Sequence, residues 1–414
     1  MKDAPGIASF QQLQPELAAA LTERGAVGLL RLDLSFLERI EGEYGLTAWK
    51  TVRGRIAGVL DEQRGKEFRA EDQVALDETG GSGLLILLSP KRRRATPVTN
   101  ADVAGATERI RNGLLKALGR TAFPYFKHPP AIPVGGSLAL HNPLLSVQRV
   151  VRTAIDDARR RAEHAVAGLE LEEHQRIQDL ISSQRVVTAY QPIMRMEDRS
   201  VMAVEALSRG ARGTGFEAAN LLFGGADRHG LMIELDRLCR SRALLCSSRV
   251  PGSARIFVNT LPATIRDPQF RDKPLIDFLD RAQVAPNRIV IEITEKLVIE
   301  NYGLFLETMA YFAELGMRFA VDDVGSGYSG LEAISRLKPD YLKIDMSLVR
   351  NVHESAVNRE MVKAIIALGK GIGSEVIAEG IEVEPEFDVL KEMGADYGQG
   401  YLLARPEIAP DPVV

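Results

Sequence analysis

The sequence predicts an α/β protein of two domains: a C-terminal βα barrel of the TIM type, preceded by a smaller α/β domain. Three observations carry this expectation. The length, 414 residues, suffices for two domains with separate cores. From Gln184 onward, strand-like and helix-like runs alternate over about 230 residues, a scale that fits one closed barrel. Eight of those runs each end on a polar residue: VVTAYQPI, MAVEALSR, RIFVNT, RIVIEITE, RFAVDDVG, YLKID, EVIAEGIE and YGQGYLL. The polar residues are Gln191, Glu205, Asn259, Glu292, Asp322 with Asp323, Lys343, Glu379 and Gln399. In such a barrel the C-terminal strand ends converge on one mouth. Carboxylates from four strands would face each other there, which is tolerable only around cations.

Composition narrows the classes. Hydrophobic residues at 45% and charged residues at 26% fit a soluble globular protein. A net charge of −4 gives no signal for a nucleic-acid polymer as partner. Cys239 and Cys246 stand seven residues apart on one helix face, too far to bridge, and read as buried free thiols of a reducing compartment. The first ten residues hold no apolar leader core. No apolar run reaches the roughly 18 to 20 residues of a membrane span. The expectation is a cytoplasmic protein with no membrane segment.

The first domain spans residues 1–165. Its strand candidates are 27–34, 84–88 and the stretch around 137–140. The run at 84–88, LLILL, is apolar throughout, as for a strand buried on both faces. Residues 89–100, with the basic run Lys91 to Arg94, read as an exposed loop. Residues 123–136 are rich in proline and read as irregular. Residues 145–183 are helical and highly charged, with a break expected near Gly168. Residues 166–183 are a helical linker, and the barrel follows at 184–414. Its helices are expected at 231–247, 275–282, 302–315, 358–369 and 385–393.

Chemistry concentrates in the barrel. In Glu292-x-x-Glu295, strand alternation turns the two acids apart, so Glu292 is the candidate ligand and Glu295 the loop anchor. Adjacent Asp322 and Asp323, before Gly325-Ser326-Gly327, can serve two metals from one turn. Lys343 could orient a water, or form a structural ion pair with Asp345 on the same side of its strand. Glu379 is a further carboxylate beside a glycine. Oxygen and amide donors without Cys or His point to two Mg²⁺ or Mn²⁺ ions. His229 reads as a surface residue.

These segments resemble the EAL-domain family of bacterial cyclic-di-GMP phosphodiesterases. Glu205-Ala206-Leu207 with Ser208-Arg209-Gly210 is similar to its signature. The likeness continues in order through Tyr190-Gln191-Pro192, Val258-Asn259, Ile293-Thr294-Glu295, Asp322 to Ser329, Lys343-Ile344-Asp345, Ile377 to Gly380 and Gln399-Gly400-Tyr401. The resemblance implies a barrel with one strand reversed. It implies Glu205, Asn259, Glu292, Asp322, Asp323 and Glu379 as metal site, and Lys343 as the residue that helps activate water. It implies Glu295 as support of the loop after Asp323, Gln191 and Arg209 as substrate-phosphate contacts, and Gln399 as a polar lining residue. The implied reaction is two-metal hydrolysis of cyclic-di-GMP to linear pGpG. Val324 departs from the family's phenylalanine after the aspartate pair, so a looser loop is expected.

Residues 24–160 resemble a degenerate GGDEF, or diguanylate cyclase, domain. Leu32-Asp33-Leu34-Ser35 stands where that family has Asp-x-Asp, and Gly80-Gly81-Ser82-Gly83-Leu84 where it has its signature. Ser35, Ser82 and Gly83 replace acids, and Glu41-Gly42 replaces Asn-Asp, so synthesis of cyclic-di-GMP is not expected. Arg69-x-x-Asp72 has the form of the family's inhibitory site, but its spacing to Gly80 is two residues too long, and it reads as chance. The first domain is then a regulatory or dimerisation element, in a homodimer with a protein signalling partner. The competing reading is a catalytically weak or inactive cyclic-di-GMP receptor that signals through protein partners. A scaffold that binds no nucleotide would make the acid constellation a coincidence.

Overall fold

A computed structural model describes residues 8–77, 83–88, 98–126, 132–261, 267–294, 302–326, 334 and 337–409. The chain divides into two compact units, Met1–Glu172 and Glu173–Val414.

The first unit is built on β1 (Ala8–Ser9), β2 (Ala26–Asp33), β3 (Gln73–Asp77), β4 (Gly83–Leu88) and β5 (Val134–Leu140). Their order is β1-β3-β4-β2-β5. β1 pairs parallel with β3, and the remaining pairs are antiparallel. Alternation sends Val27 and Leu29 of β2 to one face, with α1 (Phe10–Arg24) and the first half of α5 (Val147–Ser182). Leu30 and Leu32 face the other side, with α2 (Phe36–Gln63), α3 (Asn100–Asn112) and α4 (Leu114–Thr121). Helices on both faces explain why the central strands read as unbroken apolar runs. β1 and β3 escape the sequence reading: the first has two residues, and the second, QVALD, is short and polar at both ends.

The first unit departs from two expectations. β5 begins at Val134, inside the stretch expected to be irregular. Its glycines are there for close packing, since a Cβ on Gly135 would lie 2.0 Å from the Ala158 carbonyl oxygen of α5. Ser137 Oγ donates to Ala154 O at 2.6 Å, and Arg161 donates to Gly136 O at 2.9 Å, fastening the helix to the strand. Secondly, α5 runs unbroken for 36 residues through Gly168. One glycine costs about 1 kcal/mol in a helix, and the good helix formers Leu169 to Glu172 follow it. Val151, Ala154, Ile155 and Ala158 of this helix enter the first unit's core, while Ile177 and Leu180 enter a core of the second.

All eight expected runs of the second unit are strands: β6 (Val186–Arg195), β7 (Val201–Gly210), β8 (Arg255–Asn259), β9 (Ile289–Thr294), β10 (Arg318–Val324), β11 (Tyr341–Ile344), β12 (Glu375–Ala378) and β13 (Tyr397–Gly398). β7 through β13 pair in sequence and in parallel. β6 is antiparallel to both β7 and β13 and closes the barrel. β6 is thus the reversed strand that the resemblance implies. Only residues 196–200 join β6 to β7, too few for a parallel crossover. A short β14 (Glu407–Ile408) pairs with β6.

The helices of this unit are α6 (Ala219–Arg228), α7 (Met232–Leu245), α8 (Asp272–Ala282), α9 (Tyr302–Glu314), α10 (Met346–Val349), α11 (Ala356–Ile372) and α12 (Glu384–Met393). Ile193, Met202, Phe257, Val290, Tyr341 and Tyr397 form one buried cluster, the inward layer of the strands. The larger core joins the outward strand residues to helices α7 to α12.

The close approach of α5 to β5 is directly testable. Gly135→Ala must push a helix backbone aside, which should cost roughly 1 to 3 kcal/mol. Calorimetry should show a lower melting temperature; an unchanged melting curve would mean that α5 yields freely.

Candidate active site

The reversed strand brings its polar residue in from mid-strand. Gln191 of β6 stands directly opposite Glu205 of β7, so neither is at a strand terminus. Asn259, the last residue of β8, stands opposite Glu292 of β9. Asp322 and Asp323 close β10, Lys343 lies in β11, Glu379 follows β12 and Gln399 follows β13. Asp323 has φ +58, and the β10–β11 register shifts between Val321 and Val324. That bulge breaks the alternation that would otherwise turn adjacent side chains to opposite faces.

Side-chain contacts join these residues. Lys343 Nζ bonds Glu292 and lies 2.5 Å from Glu379, 3.3 Å from Asp322 and 3.4 Å from Glu205. Gln399 Nε2 donates to Glu205 at 2.7 Å and to Gln191 at 3.1 Å. Gln191 Nε2 donates to Ala404 O at 3.1 Å. Asn259 Nδ2 donates to Glu205 at 3.3 Å. The Ala404 carbonyl was invisible in the sequence, because a backbone acceptor carries no residue signature.

Not every expected residue joins. Arg209 is on the same face of β7 as Glu205, four residues on, and its guanidinium donates to Ser208 O. Glu295 and Gly327 lie outside the described residues. The alternative reading of Lys343, an ion pair with Asp345, does not form: β11 ends at Ile344, and the Asp345 carboxylate caps α10 by accepting Ser347 N–H at 3.0 Å.

Burial and mutual repulsion dominate the electrostatics. Lys343 and Glu292 are fully buried. Burial pushes the Glu292 carboxyl well above the usual range; Lys343 opposes this, while Asp322, Glu205 and Glu379 add to it. Glu379 is raised likewise, first by burial and then by Asp322. Burial alone would lower Lys343, but Asp322, Glu205, Glu292 and Glu379 together hold its ammonium well above the ordinary lysine value. Asp323 is pushed up to about 6 by burial, then by Asp322 and Asp345.

The donor set fits divalent cations. Oxygens of Glu205, Glu292 and Glu379 approach within 4.8 Å of one another, and so do those of Asp322, Asp323 and Glu379. Glu379 belongs to both groups, so two cations could share it. Glu292 Oε2 is buried with no hydrogen-bond partner among the described residues. All these donors are hard oxygens, which suit Mg²⁺ or Mn²⁺.

In the first unit, Asp33 accepts Ser35 N–H at 2.8 Å and pairs with Arg31 at 3.1 Å. Burial alone would raise the Asp33 carboxyl, but the Ser35 hydrogen bonds and Arg31 outweigh it and hold it below the usual range. Arg31 also grips buried Asp77 at 2.8 Å. Asp72 accepts the backbone N–H of Arg69, a local turn contact. Gly80 to Ser82 and Lys91 to Arg94 lie outside the described residues. Cys239 and Cys246 are buried free thiols. His229 pairs with Glu173 rather than with the barrel acids.

Val324 is fully buried in the barrel's outer core, and a Cβ on the next residue, Gly325, would lie 2.4 Å from Leu348 Cδ1. The ground beneath the aspartate turn is already filled. Val324→Phe should overpack it, costing roughly 1 to 3 kcal/mol, with lower melting temperature and lower turnover together. Higher turnover at unchanged stability would instead reveal room for a ring.

Comparison with known proteins follows the same outline. The family model of the EAL domain matches residues 174–406. A signaling protein of Caulobacter vibrioides is 26% identical over 97% of this chain and 50% of its own length. The cyclic di-GMP phosphodiesterase NbdA of Pseudomonas aeruginosa is 29% identical over 57% of this chain and 31% of its own length. The chain thus spans half or less of the length of these two relatives. A solved structure described as a PaMucR phosphodiesterase in complex with c-di-GMP is 25% identical, with TM-score 0.51, over 56% of this chain and 97% of that one.

Proposed function

The chain belongs to the EAL-domain family, and from that premise we propose that it hydrolyses cyclic di-GMP to linear pGpG with two divalent cations, Mg²⁺ or Mn²⁺. The observation that carries this reading is the pair of carboxylate groups that share Glu379 at one barrel mouth.

Glu205, Asn259, Glu292, Asp322, Asp323 and Glu379 would hold the cations. Such ions, when bound, lower the pKa of water and offset charge on the phosphoryl oxygens. The protein's own groups do the rest. Lys343, fixed among four acids, orients the attacking water. Gln191 and Gln399 present amides to the substrate, and the Arg209 guanidinium suits a phosphate through its planar fork. Glu295 supports the turn after Asp323. Hydrolysis adds the water oxygen to phosphorus, breaks the bond to the 3′ oxygen and leaves a proton on that oxygen.

The first unit acts as a cyclase-dead GGDEF-like regulatory or dimerisation element. Its remaining acid, Asp33, is already neutralised by Arg31, and Ser35 cannot replace a second carboxylate. No described helix is long and apolar enough to cross a membrane.

With Mg²⁺ or Mn²⁺, chromatography should show conversion of cyclic di-GMP to pGpG, abolished by EDTA and inhibited by Ca²⁺, whose looser coordination suits in-line geometry poorly. The same protein should make no cyclic di-GMP from GTP. Full turnover in excess chelator would sink the two-metal reading.

Single substitutions separate the roles. Glu205→Ala should lower kcat by about two orders of magnitude or more through loss of a metal ligand. Lys343→Ala should retain substrate binding while turnover falls, as expected for a transition-state contact. Normal turnover by Lys343→Ala would leave the lysine only a charge-balancing part.

A further inference from the structure

We infer that helix α7 sets the position of Asn259 through a buried relay of charges, Asp236–Arg240–Asp267, that clamps both ends of the segment after β8. The inference rests on the metal reading of the barrel mouth.

Asn259 is the one neutral member of the proposed ligand set. It has no charge of its own to draw it toward a cation, so its reach depends on where the backbone puts it. Thr260 N–H donates to Glu292 O at 2.9 Å, which ties the strand end to β9. The next residue, Leu261, donates its N–H to Asp236 Oδ1 of α7 at 3.2 Å. The other Asp236 oxygen takes Arg240 Nε at 2.8 Å, one helical turn on. Arg240 then reaches Asp267 at 3.4 Å and lies over the Phe270 ring at 4.1 Å. Arg237 grips Asp267 with two bonds of 2.8 and 2.9 Å, and Asp267 caps Gln269 N–H at 2.9 Å. One helix face thus holds residue 261 and residue 267.

Such a relay is a poor device for stability alone. Asp236, Arg240 and Asp267 are all buried, Arg240 to 1% exposure. Apolar residues of similar volume often stabilise as well as a buried ionic group, because desolvation offsets the attraction. What an apolar cluster cannot do is accept the Leu261 N–H at a fixed point. Asp236 and Arg240 are therefore positioning residues for the metal site.

The test is Mn²⁺ binding to the full chain, read by electron paramagnetic resonance, with circular dichroism for folding. Asp236→Ala should weaken Mn²⁺ binding about tenfold or more, the usual effect of losing an outer support. Asp236→Asn keeps an oxygen for Leu261 but loses the bond to Arg240, and should fall between the wild type and Asp236→Ala, about threefold weaker than the wild type. Should Asp236→Ala fail to fold, Arg237→Gln, which loosens only the outer grip on Asp267, should weaken binding by about threefold. Wild-type affinity in Asp236→Ala or Arg237→Gln would overturn the inference, as would an Asp236→Asn variant as weak as Asp236→Ala. A Glu205→Gln control that binds Mn²⁺ like the wild type would instead overturn the metal reading itself, and this inference with it.

Discussion

The barrel mouth is organised by a shortage of positive charge. Four carboxylates, from Glu205, Glu292, Asp322 and Glu379, surround the single ammonium of Lys343. Burial first, and then repulsion from neighbouring acids that Lys343 offsets only in part, raises Glu292 and Glu379 well above ordinary acids. Much else in the unit makes sense as support for that crowding. The bulge at Asp323 brings a further acid to the mouth, and the Gln191–Gln399 pair supplies neutral donors where another negative charge would be intolerable. Extra cations would relieve the strain, which is why the proposed metal site and the proposed phosphate-rich substrate fit the same place.

Much of this was readable in the sequence because barrel strands announce themselves. Their outward and inward faces are both buried, so β-branched runs such as RIVIEIT and RFAV stand out against the charged helices. The acids were readable because carboxylates seldom end apolar strands without a task. Pairing direction was less visible: β6 looks like its neighbours, and only the five-residue connection to β7 betrays the reversal. The partners of Lys343 were hidden too. Proximity in sequence favoured Asp345, whereas the fold supplies acids from three other strands and the turn after β12.

In the first unit the failures have a common cause. β1 and β3 are too short for a period to emerge; β3 depends on β4 beside it, and β1 on β3. Gly135 and Gly136 looked like loop residues, yet they serve a strand against which a helix backbone lies. Gly168 looked like a stop, yet strong helix formers on its C-terminal side carry the helix past it. Arg31, a charged residue in the middle of an apolar strand, was the clearest signal left unread. Its position already called for the acids that hold it, half-buried Asp33 and buried Asp77.

The seam between β6 and β13 has a further consequence, for the order of assembly. The bond between Gln191 and Gln399 joins residues 208 apart in the chain. Bringing such distant points together costs about 5 kcal/mol in loop-closure entropy, more than one amide hydrogen bond returns. The β6–β7 hairpin, by contrast, needs only a local turn. Low separation favours early contacts and high separation late ones, so Gln191 and Glu205 meet first and Gln399 arrives when the barrel shuts. The amide pair at the mouth therefore belongs to one of the least local contacts of the unit, and it exists only in a chain whose first and last barrel strands have already found each other.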